Sequence, residues 1–501
     1  MDETQSWLSK EGLLRIILIV VAFAVYSLFV AMGTFATIVF PAAGLVFLAP
    51  LILAIVAVAP SSKASPAWLA TRLIIVGLGL LPLWPVYLHL KLGPLPIITP
   101  PRLLLYLLTV IWLYDMVFSP LRRAQLIVAF KRSRIVAGLV LFFFFLGLAS
   151  LPMAAGRSLA APEFFRQAII WCLPFLITAT YIRRNRHFVA MMKAVTIGAG
   201  VAGFIAIAEA VTGQLLASAL SPIIPNDQEW LRVAQQIKIR DGIFRAQATH
   251  THPLSLGEFL AVAVPFGVAF FIRSKTMLEK SFWAGLVTTV VIGALLTSSR
   301  GALLGIIVAG SASGAVIGFR FLQTAASVQY RPLAGLLALG ILATSPVFMV
   351  GAYKMITGAG GASASNSSQA RLDQIELAIP KIMKRPIGGY GTGRAARALG
   401  YWGRTLTIDN YYLTLALDLG LPGPIVFAAI LIATGGGALR RAKGENREME
   451  YFYFAVFAMC AVIFISRTIT SLTGNLSLFY PVIGAFVGAA SSHRVPKTLA
   501  S

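Results

Sequence analysis

Apolar residues run along this chain in unbroken blocks, not in strict alternation, and short polar or basic stretches part the blocks from one end to the other. A helix crosses the hydrocarbon of a bilayer in about 20 such residues. The pattern predicts about fourteen spans, at 13–31, 34–59, 69–88, 103–118, 135–151, 164–182, 188–211, 253–272, 283–297, 301–321, 333–353, 411–434, 452–466 and 475–490. Tilt or merging of short neighbours brings the expected number to about 12–14. A porin-type barrel would show short alternating strands instead. The predicted fold is therefore an all-α integral membrane protein.

Two stretches break the rhythm, 212–252 and 354–410. Connections this long are functional or unstructured when they occur in compact proteins. Each carries an amphipathic piece at helical spacing: Trp230, Val233, Ala234 and Ile237 in the first, and Leu372, Ile375, Ile379 and Ile382 in the second. Both pieces are expected on the membrane surface or capping the bundle. The run 358–368, rich in Gly, Ala and Ser, reads as a flexible lid or linker. The organisation that follows is an N-terminal helical part (1–211), a first long loop (212–252), central helices (253–353), a large loop (354–410), and C-terminal helices with a tail (411–501).

Composition sharpens this picture. Of 501 residues, 58% are hydrophobic and 12% charged, and the mean hydropathy is +0.82. A soluble protein carries roughly 25% charged residues, so a soluble enzyme, a disordered chain and a disulfide scaffold are excluded. The 42 Lys and Arg outnumber the 18 Asp and Glu, for a net charge of +24. In a membrane protein this excess belongs to basic cytoplasmic loops and anionic ligands, not to nucleic acid. The basic groups Arg122–Arg134, Arg183–Arg186, Arg273–Lys280, Arg440–Arg447 and Arg494–Lys497 fall on one side if the spans alternate, while Lys91 and Arg102 fall on the other. The richer side is the cytoplasm, both termini lie there, and both long loops face the periplasm. The N-terminus reads as uncleaved. Cys172 and Cys460 sit inside apolar runs and offer neither a disulfide framework nor a metal site.

The candidate chemistry gathers on the opposite side. Arg240, Arg245, His250 and His252 lie in the first long loop, Arg371 and Asp409 in the second, and Arg300 and Arg467 in short hairpins where the positive-inside rule disfavours them. Arginine grips phosphate through paired bonds. A diphosphate substrate at this face would explain the cluster, and a rim of solvated or snorkelling charges is the plainer alternative. His250 and His252 alone make a poor metal site, since zinc takes three or four ligands, and no cofactor is expected. His252 reads as a general base, a sugar-binding group or a simple helix-end residue. Glu209 and Glu258 lie near the outer ends of their spans and Asp418 about two turns into its own, and ionisable groups in a span face a cavity or pair with cations such as these arginines. Asp115, near the cytoplasmic end, reads as structural. The run Gly388–Gly393 superficially suggests a phosphate loop, but no strand precedes it and no Lys-Ser/Thr follows, so a glycine-rich turn is the expectation.

Four stretches, in order, resemble the O-antigen ligase and polysaccharide polymerase superfamily: Phe244-Arg245 through His252-Pro253 to Gly257; the hairpin Ser299-Arg300-Gly301-Ala302; Arg371-Leu372 with Arg385-Pro386-Ile387-Gly388-Gly389; and Asp409-Asn410-Tyr411-Tyr412-Leu413 through Gly420-Leu421-Pro422-Gly423. The resemblance covers roughly 240–427. It implies a multispan glycosyltransferase of the bacterial inner membrane that works at the periplasmic face without metal. Such an enzyme moves a glycan from an undecaprenyl-diphosphate carrier to an acceptor. Its implied partners are the lipid-linked glycan donor and acceptor, membrane lipids and chain-length regulator proteins. On this reading Arg245, Arg300 and Arg371, with His250, Glu258 and Asn410, bind diphosphate and glycan, and His252 and Asp409 are catalytic. Ligases of the family tend to carry His where this chain has Asp409, so the resemblance points to a polymerase of lipid-linked repeats, with ligation to lipid A-core as the alternative. A glycolipid flippase or secondary transporter is the alternative of another class; it would show paired repeats and mid-membrane charges.

Overall fold

Long apolar blocks become helices here because their backbone polar groups must be satisfied within the segment. The computed structural model describes residues 65–85, 88–90, 98–217, 236–240, 242–324, 362–401, 408–442 and 447–489. The predicted spans 13–31, 34–59 and 333–353, and most of the amphipathic piece around Trp230, lie outside these residues.

The chain divides into two units. The first comprises Met1–Ala64 and Leu113–Pro120. Its described part is the end of one helix, where the Ser119 N–H donates to the Asp115 carbonyl at 2.9 Å. The second unit holds the rest. In chain order the helices are α1 (Ala67–Leu80), α2 (Pro100–Phe118, whose end belongs to the first unit), α3 (Pro120–Arg132), α4 (Arg134–Ser150), α5 (Arg157–Gln167), α6 (Leu173–Tyr181) and α7 (Asn185–Thr212). A two-stranded antiparallel hairpin follows, β1 (Ile239–Arg240) and β2 (Ile243–Phe244), with Ile239 opposite Phe244 and Arg240 opposite Ile243. Then come α8 (Pro253–Arg273), α9 (Met277–Leu296), α10 (Arg300–Thr324), α11 (Ala362–Lys384), α12 (Ala395–Ala398), α13 (Tyr411–Leu419), α14 (Pro422–Ala442), α15 (Arg447–Ser466) and α16 (Leu476–Ala489). Residues 168–172 join α5 to α6 through a π-helical turn, so the two form one continuous rod. Among the described residues eight helices are long and apolar enough to cross a membrane. The protein is an all-α, multi-pass membrane protein.

Local chemistry marks the helix ends. Thr276 caps α9 by accepting from the Glu279 N–H at 3.2 Å, and Glu279 reaches back to the Lys275 N–H at 3.1 Å. This is close to a capping box. Asn410 caps α13 from its side chain. Pro253 opens α8, where its missing N–H costs nothing. Small residues allow close helix crossings. A Cβ on Gly203 of α7 would stand 2.8 Å from the Thr289 carbonyl, and one on Gly293 of α9 would stand 2.7 Å from Gly203 Cα. The two backbones touch there, the usual device for helix association in lipid.

Three expectations change. The predicted span 411–434 is broken: α13 ends at Gly420, whose φ of +76° is unfavourable for residues with a Cβ, and α14 starts afresh at Pro422. Residues 362–368 are not linker but the first turns of α11. Finally, α11 turns Gln374, Ala378 and Ile382 inward, four residues apart on one face, and leaves Leu372, Ile375 and Ile379 exposed. Ala and Gln on the inner face hid that stripe from hydropathy.

Candidate functional site

The helices alternate, and the loops that follow α4, α7, α9, α11 and α15 meet at one end of the bundle. Arg385 donates to the Met153 carbonyl at 2.9 Å, Arg245 to the Thr297 carbonyl at 2.9 Å, and Asn475 to the Ser255 carbonyl at 2.8 Å. The four family-like stretches converge here.

Arg245 leaves β2 under tight control. Its N–H donates to the Lys238 carbonyl at 3.0 Å, and the next N–H, of Ala246, donates to the Leu296 carbonyl at 3.1 Å. With Nε on Thr297, the guanidinium is fastened to the 297–300 hairpin, while its Nη2 is buried without a partner among the described residues. Native interiors satisfy nearly all such donors. Burial, helped by nearby Arg240, pushes the Arg245 guanidinium down to about 10. The segment beyond it is shaped by Glu209. One carboxylate oxygen accepts the N–H groups of Gln247 and Ala248 at 3.0 and 2.8 Å; the other accepts that of Leu216 at 3.1 Å. Glu209 therefore serves backbone and not an arginine, contrary to the sequence expectation.

His252 is the N-cap of α8. Its Nδ1 accepts the Leu254 N–H at 3.1 Å. That bond leaves the ring proton of the neutral form on Nε2, so the outward nitrogen is a donor. Burial first, then Arg245 and Lys238, push its pKa down to about 4. In this tautomer His252 offers its Nε2–H as a donor. His250 is pushed down to about 4 by burial and stacks on Phe259 at 5.4 Å.

From the second long loop, α11 presents Arg371 to Asp409 at 3.8 Å. Three residues on, the Gln374 side chain accepts the Asp409 N–H at 2.9 Å and so sets where the carboxylate points. Arg371 Nε is buried without a partner among the described residues. Burial raises the Asp409 pKa and Arg371 opposes the rise. Burial lowers that of Arg371; Asp409 resists this and Arg240 adds to it. Arg240 thus acts on both Arg245 and Arg371, and the hairpin tip ties the two basic stretches into one field. Arg240 was noted in the sequence only as one loop charge among several.

Arg300 is the first residue of α10, half-buried and three residues beyond the carbonyl that Arg245 holds. Ser299 Oγ accepts the Ala302 N–H at 3.2 Å and fixes the hairpin. Asn410 spends its carbonyl on the Leu413 N–H at 3.1 Å as the cap of α13. Glu258 pairs with an arginine, as its place near a span end predicts. It is 2% exposed and both oxygens are engaged: one accepts from Ser466 Oγ at 2.6 Å, the other from Arg467 Nη2 and Asn475 Nδ2, each at 2.8 Å. Glu258 and Arg467 form a buried clamp between α8 and the 467–475 loop.

The glycine turn joins this end from below. Gly388, Gly389, Gly391 and Gly393 all have positive φ, as a tight turn without Cβ atoms allows. The turn wraps Asp418, which accepts the N–H groups of Gly393, Arg394 and Ala395 at 2.8, 2.9 and 2.6 Å. The run does cradle an anion, and the anion is the chain's own carboxylate.

Among the described residues no three His, Cys, Asp or Glu side chains gather as a metal set would require. No curated protein matches the chain. Residues 284–428 match the family model described as O-antigen ligase, a segment that contains Arg300, Arg371, the glycine turn, Asp409 and Asn410. That segment of the chain is thus similar to the O-antigen ligase family.

Proposed function

We propose that the protein is a glycosyltransferase that joins undecaprenyl-diphosphate-linked oligosaccharide repeats into a surface polysaccharide at the periplasmic face of the bacterial inner membrane. The observation that carries this reading is Arg371 at 3.8 Å from Asp409, joined through the field of Arg240 to Arg245, with one guanidinium nitrogen of Arg245 and one of Arg371 buried and unpartnered among the described residues. The leaving group of such a transfer is a diphosphate. Preorganised cations at a developing negative charge are among the strongest catalytic devices a protein has.

In this reading Arg245 and Arg371, with Arg300 in the adjoining hairpin, hold the carrier diphosphate. The His252 Nε2–H donates to a phosphate or glycan oxygen. Asp409, its basicity raised by burial, takes the proton from the attacking hydroxyl of the acceptor sugar. Bond-making at the anomeric carbon and departure of the diphosphate then need no further charged group. The repeat on the carrier is both donor and acceptor, membrane lipid surrounds the bundle, and chain-length regulator proteins are the expected protein partners. A carboxylate in place of the ligases' histidine favours joining lipid-linked repeats to one another.

The test is the carrier-lipid profile of a deletion strain. Accumulated carrier bearing a single repeat is the expected result. Accumulated carrier bearing long chains would make the protein a ligase, and an unchanged profile would remove it from glycan assembly.

A further inference from the structure

Beside the charged cluster, and separate from it, lies a cavity of about 130 Å³ inside the bundle, between α4, α5, the glycine turn and α13. That is room for several waters. Its walls include the rings of Phe143, Phe144, Phe164 and Tyr411, with Gln167 and Thr392 among the polar groups. The Thr392 hydroxyl is 96% buried as a residue and has no hydrogen-bond partner among the described residues. One layer further out, Tyr480 packs on Phe144 at 5.5 Å and on Trp171 at 5.9 Å, and the Tyr480 hydroxyl and Trp171 Nε1 are likewise buried and unpartnered. Native interiors satisfy nearly all such atoms.

The lining selects against ions. Glu163 and Asp418 both face the cavity and would repel an anion. Neither is open to a cation: Glu163 is held by Arg166 at 2.8 Å and by Gln167 at 2.9 Å, and Asp418 by three backbone N–H groups. Ring faces with a few fixed hydroxyl and amide groups, and no free charge, suit a neutral molecule with both apolar C–H faces and hydroxyls.

We propose that this cavity is a binding site for one uncharged sugar unit, with Thr392 and Gln167 hydrogen-bonding its hydroxyls and the aromatic walls covering its C–H face. The assignment rests on the reading of the protein as a glycan-handling enzyme and adds to it: Tyr411, which lines the cavity, comes two residues after the proposed base Asp409. The cavity would hold a unit of the glycan while its neighbour reacts.

Saturation-transfer NMR on the full-length protein in detergent, with D-glucose, D-galactose, D-mannose and N-acetyl-D-glucosamine presented singly, tests the proposal without requiring transfer. At least one sugar should receive saturation from the wild type. Thr392→Val, which removes the hydroxyl and keeps the shape, should weaken that sugar about fivefold to tenfold, as one lost hydrogen bond implies. Thr414→Phe, which fills the cavity, should abolish the signal, and Lys275→Ala at the far end should leave it unchanged. If Thr414→Phe fails to fold, Thr392→Val decides. No signal from any sugar, or a signal that Thr392→Val and Thr414→Phe both leave intact, overturns the proposal. Sugar binding with an unchanged carrier-lipid profile in the deletion strain would instead sink the polymerase reading and leave the cavity standing.

Discussion

Arg371 stands 3.8 Å from Asp409, a distance at which the two attract without closing a full hydrogen bond, and both side chains are only partly exposed. The pair joins α11, whose outer face is bare, to the cap of α13. Among the described residues Arg371 Nε has no partner.

Asp409→Asn should reduce transfer by a hundredfold or more, in line with loss of a general base, and leave carrier binding near normal. The acid limb of the pH–rate profile should follow Asp409, with rate lost as pH falls through its raised pKa. Arg371 holds that pKa down against burial. Arg371→Gln should therefore move the acid limb to higher pH, besides lowering the rate. A limb that stays put in Arg371→Gln would separate Asp409 from the chemistry.

Arg245→Lys keeps the charge and loses the fork, and should already impair transfer; Arg245→Ala should do worse. One charge-assisted contact is worth about 1.5–3 kcal/mol, or roughly ten- to a hundredfold in rate if felt fully at the transition state. Initial rates on purified lipid-linked repeat measure this. Variants that fold normally and keep wild-type rates would reduce the basic cluster to a solvated rim.

His252→Asn should separate capping from catalysis. Asn caps a helix well, so the melting temperature should hold while transfer falls; His252→Ala should lose both. The pH dependence of stability has a definite sign. Folded His250 and His252 are held near 4, below the ordinary value of about 6.5. Their contribution is present above about 6.5 and is lost as pH falls from there toward 4. Thermal melts across that window should be flatter in His252→Asn than in wild type.

Glu258→Gln leaves Arg467 buried with its charge unanswered. Breaking a buried pair costs about 3–5 kcal/mol, so the melting temperature in detergent should fall sharply. Replacing both, as Glu258→Leu with Arg467→Met, should recover most of it. If Glu258→Gln melts like wild type and loses only activity, Glu258 belongs to the reaction after all.

Cysteine labelling fixes the orientation. In a background lacking Cys172 and Cys460, Glu376→Cys on the exposed face of α11 should react with an impermeant maleimide in intact cells, and Lys275→Cys between α8 and α9 should react only after permeabilisation. The reverse pattern would move the site to the cytoplasm.

The helices were legible because lipid demands long apolar runs, and Ser299-Arg300-Gly301 was legible as a hairpin because it parts two of them. Arg371 and Asp409 were picked out singly, and their meeting is a product of α11 folding back on α13, which no local pattern announces. The roles of charged groups at span ends were harder to read. Glu258, Glu209 and Arg467 were charged residues near span ends, and in sequence a charge that closes the fold looks like one that serves a substrate. Their partners are distant: Arg467 is bound to Glu258, and Glu209 to the backbone of Gln247 and Ala248. The break at Gly420 was hidden because apolar residues continue on both sides of it.

The glycine turn around Asp418 is a socket already holding its plug. Three backbone N–H groups aimed at one point form the kind of concavity that captures free anions in other proteins. Shortening the plug, as in Asp418→Ala, should leave those donors facing an emptied pocket, and a small inorganic anion such as chloride or sulfate would become the natural replacement. A variant whose melting temperature climbs with added halide, where the wild type is indifferent, would turn this motif from an internal brace into a salt-addressable joint between α13 and the turn.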